Sequence, residues 1–511
     1  MKRIAALVLS AALLLGLLSG CGGEDDPYVP TGNALSQGEI TEPDDTEAEQ
    51  RTVLPFYPER GRNPYLCSDY SNRVIFSLIY QGLFAVDREY QVWPVLCDSY
   101  TVSWDMKTYT FRMAEATFSD GSPLTAADAA ASLEAARAGD VYGGRFGYVD
   151  TINVTEDGAL EIVLSTPYEN FPLLLDVPIV KGTQADTEAP LGTGPYTYDQ
   201  QGDQLGLRRS PTWWCDAAIP VDAERIYLMT AESPAKLRDA FEFSDLSLVN
   251  TDPGSDSYAD FHSDYELWDM ENGIFLYLAC NDASPVFAMP AFRKALTWSV
   301  DRSTIAETYY RDFAYTTSLP ASPQSPYYNE ALANGLGYDP QRMTLAVADH
   351  PEVREITVTL LVNGSDAVRV RVARSIAQSL TGSGLKTVTS ELTGLEYRTA
   401  LQEGAFDIHL GQTKLSANMD LTPFFAAGGT LAYGGLEDPV LQALCLESLA
   451  NIGNYYTLYQ KILEDGQLCP LLFRSYAIYT QRGSFSDLQP SRDNLFFYHL
   501  DKTDEDVRME E

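Results

Sequence analysis

Ile356-Thr357-Val358-Thr359-Leu360-Leu361-Val362, followed by Val368, Val372, Ile376 and Leu380 at four-residue intervals, is the passage on which the fold class turns. The first run is rich in β-branched residues and reads as a strand. The second places one apolar face opposite Arg369 and Arg374, with Ala373 and Ala377 beside it, as an amphipathic helix does. Gly382 and Gly384 end that helix. Residues 385–392 make a second strand, 395–402 a short helix and 406–410 a third strand. The order is βαβαβ, which implies a mostly parallel sheet with helices on its faces. Ligands of such sheets favour the carboxyl ends of the strands, where loops converge. Here that end is expected to include a loop at 411–420, carrying Gln412, Lys414 and Asp420 as ligand-contact candidates.

Outward from this core the pattern stays mixed α/β. Tyr109, Phe111 and Met113 alternate with polar residues as in a half-buried strand, Ser119-Asp120-Gly121-Ser122-Pro123 breaks it, and Thr125 with Asp128 has capping-box spacing for a helix through Ala129, Leu133 and Ala136. Residues 160–164 read as a further strand. An apolar run at 274–279 precedes one helix predicted over 290–310, with Phe292, Leu296 and Val300 on one face.

The amino-terminal end carries a different signal. Lys2 and Arg3 precede an apolar run at 4–18 that closes as Leu18-Ser19-Gly20-Cys21. The run is shorter than the about 20 residues a spanning helix needs, so residues 1–20 are expected to be a lipoprotein signal peptide, with lipidation on Cys21. Two acyl chains at about 0.8 kcal/mol per buried methylene would anchor a soluble body to a membrane. Residues 21–50 are expected to form an acidic, disordered tether, because residues 22–50 carry nine carboxylates and no Lys or Arg.

The rest exceeds one hydrophobic core, so two or three domains are expected. A net charge of −37, from 72 acidic and 35 basic residues, argues against a nucleic-acid partner. Beyond Cys21, the cysteines Cys67, Cys97, Cys215, Cys280, Cys445 and Cys469 form no CxxC, and the four histidines are far apart. No metal or other cofactor is expected. One or two disulfides and buried free thiols both fit this pattern.

Several segments together resemble the solute-binding lipoproteins of ATP-binding-cassette importers, specifically the oligopeptide/dipeptide/nickel-binding family 5. Tyr80-Gln81-Gly82-Leu83-Phe84, Trp93-Pro94-Val95-Leu96-Cys97-Asp98-Ser99-Tyr100, Tyr109-Thr110-Phe111-Arg112, Phe118-Ser119-Asp120-Gly121-Ser122-Pro123-Leu124-Thr125, Gly192-Thr193-Gly194-Pro195-Tyr196, Arg293-Lys294-Ala295-Leu296 and Val300-Asp301-Arg302 are similar to family segments, in family order. The resemblance implies an α/β, two-lobed periplasmic-binding-protein-like fold with hinge crossings and an extra subdomain inserted in the first lobe. It maps lobe one to 51–78, 190–272 and 472–511, the insertion to 79–189 and lobe two to 273–471. It further implies a monomer that traps a peptide or other small solute by hinge closure and passes it to a permease at the outer face of the cytoplasmic membrane.

On this map Tyr277 and Asn281 flank the first hinge crossing, and Tyr65, after Asn63-Pro64, offers an aromatic face to the cleft. Peptide-binding members commonly show Gly-Trp and then Asp-Tyr-x-x-Pro, whose first aspartate holds the peptide ammonium. Here Gln412 stands in place of the tryptophan, no Asp-Tyr pair follows, and Lys414 adds positive charge. This departure points to an anionic or differently capped solute. A sensor lipoprotein that kept the binding fold is the alternative reading. A surface hydrolase finds little support, since there is no G-x-S-x-G elbow, HExxH or phosphate-cradling glycine loop.

Overall fold

The computed structural model describes residues 51–256, 258, 260–485, 488–496 and 507–509. The expected signal peptide, lipidated Cys21 and acidic tether lie outside the described residues.

Three larger sheets organise the chain. In the first, Thr52–Pro55 pairs in parallel with Arg225–Met229, and Gln204–Arg209 and Tyr196–Gln201 continue it antiparallel. The second runs in the order Leu248–Thr251, Leu468–Gln481, Tyr265–Cys280, Ile408–Lys414, Val358–Asn363, Thr387–Leu392, with Ala314–Thr316 paired off that path. The third is built from Cys97–Val102, Thr108–Met113, Leu160–Leu164 and Val149–Val154, and its edge is extended in parallel by Arg508–Met509.

The βαβαβ expectation holds. Val358–Asn363 pairs in parallel with both Thr387–Leu392 and Ile408–Lys414, and the connecting helices span Ala367–Gly382 and Gly394–Glu403. Val368, Val372, Ile376 and Leu380 are buried as their spacing requires. The third strand is longer than expected. It continues through Gln412 and Lys414 because Ile274, Phe275, Leu276 and Tyr277 of the neighbouring strand supply backbone partners for 411–414. The helix predicted over 290–310 is two helices, Pro290–Ser299 and Arg302–Tyr310, because Val300 is extended and Asp301 accepts from Thr304 N to start the second. The capping box at Thr125 and Asp128 is formed. All six described cysteines are buried, and none is joined in a disulfide.

Two strands carry the architecture. Tyr265–Cys280, 16 residues, and Leu468–Gln481, 14 residues, pair antiparallel along most of their length. At roughly 3.3 Å per residue the longer one spans about 50 Å. The register slips between Glu271 and Phe275, where Gly273 sits at φ +71° and the side-chain carbonyl of Asn272 accepts from Ile274 N. On one side of this irregularity lies a core containing Leu54, Phe76, Phe111, Leu207, Met270 and Ile478. On the other lies a core built around Leu276, Leu278, Phe292, Leu360, Val372, Leu410 and Leu471.

The turn Gly192-Thr193-Gly194-Pro195-Tyr196 has a packing reason. A Cβ on Gly194 would lie 2.7 Å from both Leu78 O and Ile79 O, while Gly194 N donates to Ile79 O at 2.9 Å. Only glycine allows the turn to lie directly on the end of the helix Tyr70–Ile79.

Candidate functional site between the lobes

The strand irregularity brings Arg474 to a junction. Its side chain is 7% exposed, Nη2 donates to both Asp252 carboxylate oxygens at 2.6 Å, and Nη1 donates to Gln412 Oε1 at 3.0 Å. Asp252 follows the strand Leu248–Thr251 of the first core's side, whereas Gln412 lies on the strand Ile408–Lys414 of the second. One guanidinium therefore ties the two halves beside the crossing. Burial disfavours its charge, but Asp252 and Tyr310 outweigh this and hold its pKa above the ordinary value. Two more contacts cross nearby: Arg311 Nη1 donates to Pro253 O at 2.5 Å and packs over the Tyr258 ring, and Arg371 pairs with Asp256 at 2.7 Å.

Next to this junction is a cavity of about 280 Å³ lined by Tyr57, Arg60, Ser233, Asn250, Asp252 and Tyr258 among others. It sits past the carboxyl ends of Thr52–Pro55, Arg225–Met229 and Leu248–Thr251, where strand-end loops gather. Asn250 is 6% exposed, yet neither its amide oxygen nor its amide nitrogen has a well-formed hydrogen bond; the neighbouring Tyr70 hydroxyl is directed to Met270 Sδ at 3.6 Å. The Tyr70 hydroxyl also interacts with this amide, and an amide's two donors and one acceptor leave it capacity for a polar ligand at the cavity wall.

A second polar centre gathers cations around one carboxylate. Asp493 accepts from Lys414 Nζ at 2.5 Å, Arg145 Nη2 at 2.8 Å and Arg73 Nη2 at 3.3 Å, and its side chain is 8% exposed. Arg145 also pairs with Asp176, and the Tyr142 ring packs against both Arg73 and Arg145. Burial alone would raise the Asp493 carboxyl, but Lys414, Arg73, Arg145 and Arg492 hold it well below the usual carboxylate range. Crowding by surrounding protein depresses the Lys414 ammonium, with Asp493 opposing, although 40% of that side chain still meets solvent. A small cavity of about 40 Å³ adjoins this centre, lined in part by Arg73, Tyr80, Tyr142, Asp176 and Asp493.

Of the residues singled out in the sequence, Lys414 belongs to this second centre and Gln412 to the Arg474 junction. The others are engaged elsewhere. Asp420 accepts from Thr422 N at 2.9 Å and Thr422 Oγ1 at 2.7 Å, opening the short helix Thr422–Phe425. Tyr65 is 2% exposed and donates its hydroxyl to Pro178 O at 2.8 Å, so it packs under the surface rather than facing a cleft. Tyr277 lies within the second half, stacked on Phe275 and edge-on to Phe424. Asn281 donates to Gly404 O at 2.9 Å and Phe406 O at 2.7 Å, a backbone tie three residues beyond Leu278. The register slip between the two long strands lies at 272–274, three residues before Tyr277.

Arg73, Arg145, Asp252, Arg474 and Asp493 were not legible as site residues, because they converge only through the fold. Arg474 did leave a trace: it interrupts the apolar run Leu471-Leu472-Phe473 inside a strand buried on both faces.

Comparison with known proteins fits this geometry. The model of the family described as "Bacterial extracellular solute-binding proteins, family 5 Middle" matches residues 91–430. The chain belongs to this family. Family 5 proteins are solute-binding components of ATP-binding-cassette importers, and their two-lobed α/β fold is the one seen here. Among curated relatives, the glutathione-binding protein GsiB of Escherichia coli K12 is 25% identical over 395 residues, covering 72% of this chain and 73% of that protein. GsiB of Salmonella typhi is 24% identical over 397 residues with the same coverage. Among solved structures, NikA from Brucella suis in complex with Fe(III)-EDTA matches with a TM-score of 0.69 at 18% identity, over 87% of this chain and 98% of that one. A putative peptide-binding protein AppA from Clostridium difficile gives 0.72 at 16% identity, with the same coverage. Among the described residues no helix is long and apolar enough to cross a membrane.

Proposed function

We propose that this family 5 protein captures a peptide or peptide-like solute between its lobes and delivers it to an ATP-binding-cassette permease, as a monomer held at the outer face of the cytoplasmic membrane by a lipid on Cys21. The observation that carries this reading is the junction at Arg474, where one buried guanidinium joins Asp252 to Gln412 beside a cavity walled by the Asn250 amide. Closure around a solute would keep that junction, and a peptide backbone would add hydrogen bonds to the Asn250 amide beyond its interaction with Tyr70.

The lobe boundaries belong to the same proposal: 51–78, 190–272 and 472–511 for lobe one, 79–189 for the insertion and 273–471 for lobe two. The slip at 272–274 and the position of Arg474 on the paired strand support them. Gln412 and Lys414 are the proposed contact residues from the second lobe; Tyr65, Tyr277, Asn281 and Asp420, read from the sequence as ligand contacts, are engaged in packing and backbone ties instead.

The test is a thermal-shift and calorimetry screen against di- to pentapeptides, glutathione, amino-blocked peptides and nickel chelates. A solute at a hundred times its dissociation constant should raise stability by about 2.7 kcal/mol. Absence of binding across the whole panel would refute capture of a peptide-like solute. Cys21→Ala should abolish incorporation of labelled fatty acid; labelling that persists would refute the anchor.

A further inference from the structure

Three cations from three separate stretches meet at Asp493. Arg73 comes from the helix Tyr70–Ile79, Arg145 from the turn Gly143–Phe146 and Lys414 from the end of the strand Ile408–Lys414. Arg145 shares Asp176, so two carboxylates face three cations, and Arg492 brings a fourth cation next to Asp493 in the chain. Glu271 faces Arg492 through the Tyr90 hydroxyl and so balances this fourth cation rather than the three on Asp493.

Holding one carboxylate needs one guanidinium. Gathering two guanidinium groups and an ammonium on it carries a desolvation cost that packing alone does not explain. The arrangement is the one used to bind a carboxylate ligand through charge-assisted hydrogen bonds. The adjoining cavity is small, about 40 Å³, so a ligand carboxylate beside Arg73 and Tyr142 takes the space that the Asp493 side chain vacates. Lys414, at 40% side-chain exposure, leaves one of the cations open to solvent.

We propose that Asp493 stands in for a carboxylate of the solute: a solute with a free carboxylate enters at Arg73, Arg145 and Lys414, takes over their hydrogen bonds and displaces Asp493. The exchange is non-covalent and conserves charge at the cluster, one carboxylate replacing another. This inference rests on the solute-binding reading above and narrows it to anionic solutes. It also reaches the crossing, because Arg492 donates to Leu415 O at 2.6 Å and packs so closely on Gly273 that a Cβ there would lie 2.6 Å from Arg492 Nη2.

The experiment compares wild type with Asp493→Ala in sodium acetate and in sodium chloride at equal ionic strength. In about 100 mM acetate the variant should melt about 3 °C or more above its value in chloride, while wild type, whose cations are already occupied, should differ little between the salts. Equal melting of the variant in both salts overturns the proposal. Asp493→Asn, which keeps the side-chain shape, serves if the alanine variant does not fold. An independent measurement uses unaltered protein with trialanine and trialanine amide: the free acid should bind at least about tenfold more tightly, and Lys414→Met should shrink that preference. Equal affinity for acid and amide overturns the proposal while leaving peptide capture standing. Acetate rescue with no binding of either tripeptide supports the anion site and counts against peptides as the solute.

Discussion

Taking the protein from about pH 7.5 to about pH 4.5 should remove between about 2 and 3 kcal/mol of folding stability through His409 alone. The side chain is 2% exposed, its Nε2 lies 2.7 Å from the Tyr397 hydroxyl, and its Nδ1 has no hydrogen-bond partner. Burial, with the positive charge of Arg369 added, depresses its pKa to about 3. The unfolded chain, with an ordinary histidine near 6.5, takes up the proton first as the pH falls. The stabilisation is therefore whole above about 6.5 and declines by about 1.4 kcal/mol per unit from there down towards about 3. Glu271 and Asp420 act in the opposite sense, because burial raises both carboxyls and the folded state binds their protons earlier. The acid limb of wild type alone thus mixes several groups. His409→Gln isolates the term, since the glutamine oxygen can still accept from Tyr397. Urea unfolding of both proteins at both pH values gives the difference of differences. Parallel loss of stability in the two proteins, within about 0.5 kcal/mol, would refute the assignment.

Other substitutions test the backbone and the junction. Gly273→Ala places a side chain at φ +71° against Arg492 and should cost about 2 kcal/mol in urea unfolding; a loss under about 0.5 would mean the crossing relaxes freely. Gly194→Ala sets a Cβ against the carbonyls of Leu78 and Ile79 and should cost about 2 kcal/mol or more, read in the same assay. Asp128→Ala removes half of a capping box and the acceptor for Gly182 N at 2.9 Å, with an expected loss of about 1–2 kcal/mol. Arg474→Met should speed dissociation of any solute found in the binding screen, measured by stopped-flow, because Asp252 and Gln412 lose the group that joins them.

The parallel sheet was legible because its elements obey simple periods. Val368, Val372, Ile376 and Leu380 mark one helix face, and the helix they belong to begins and ends within two residues of that pattern. The boundary at Leu410 was missed because Gln412, Thr413 and Lys414 are polar, and only the remote run Ile274 to Tyr277 makes them a strand. The break after Ser299 had a local sign, Asp301 three residues before Thr304, which an apolar spacing across 292–300 overrode. At the site, Lys414 stood out because it sits where a strand leaves a parallel sheet. Arg73, Arg145 and Asp493 could not, since each looks like a solvated charge on its own segment and becomes part of a centre only after three stretches of chain have met.

The seven-stranded sheet also sets an order of assembly. Leu248–Thr251 has Leu468–Gln481 as its ladder partner, and Cys97–Val102 gains its outer neighbour from Arg508–Met509. A chain emerging from a ribosome or a translocation pore must hold those early edges unpaired until sequence hundreds of residues later arrives, with all the exposure to wrong pairing that this wait entails. The core built around Leu276, Leu360 and Leu410 waits as well, because Cys469, Leu471 and Leu472 of the same late strand complete it. A chain stalled before Leu468 would therefore leave both halves unfinished, and a protease-protection time course on nascent chains would show protection of either half arriving only with that strand.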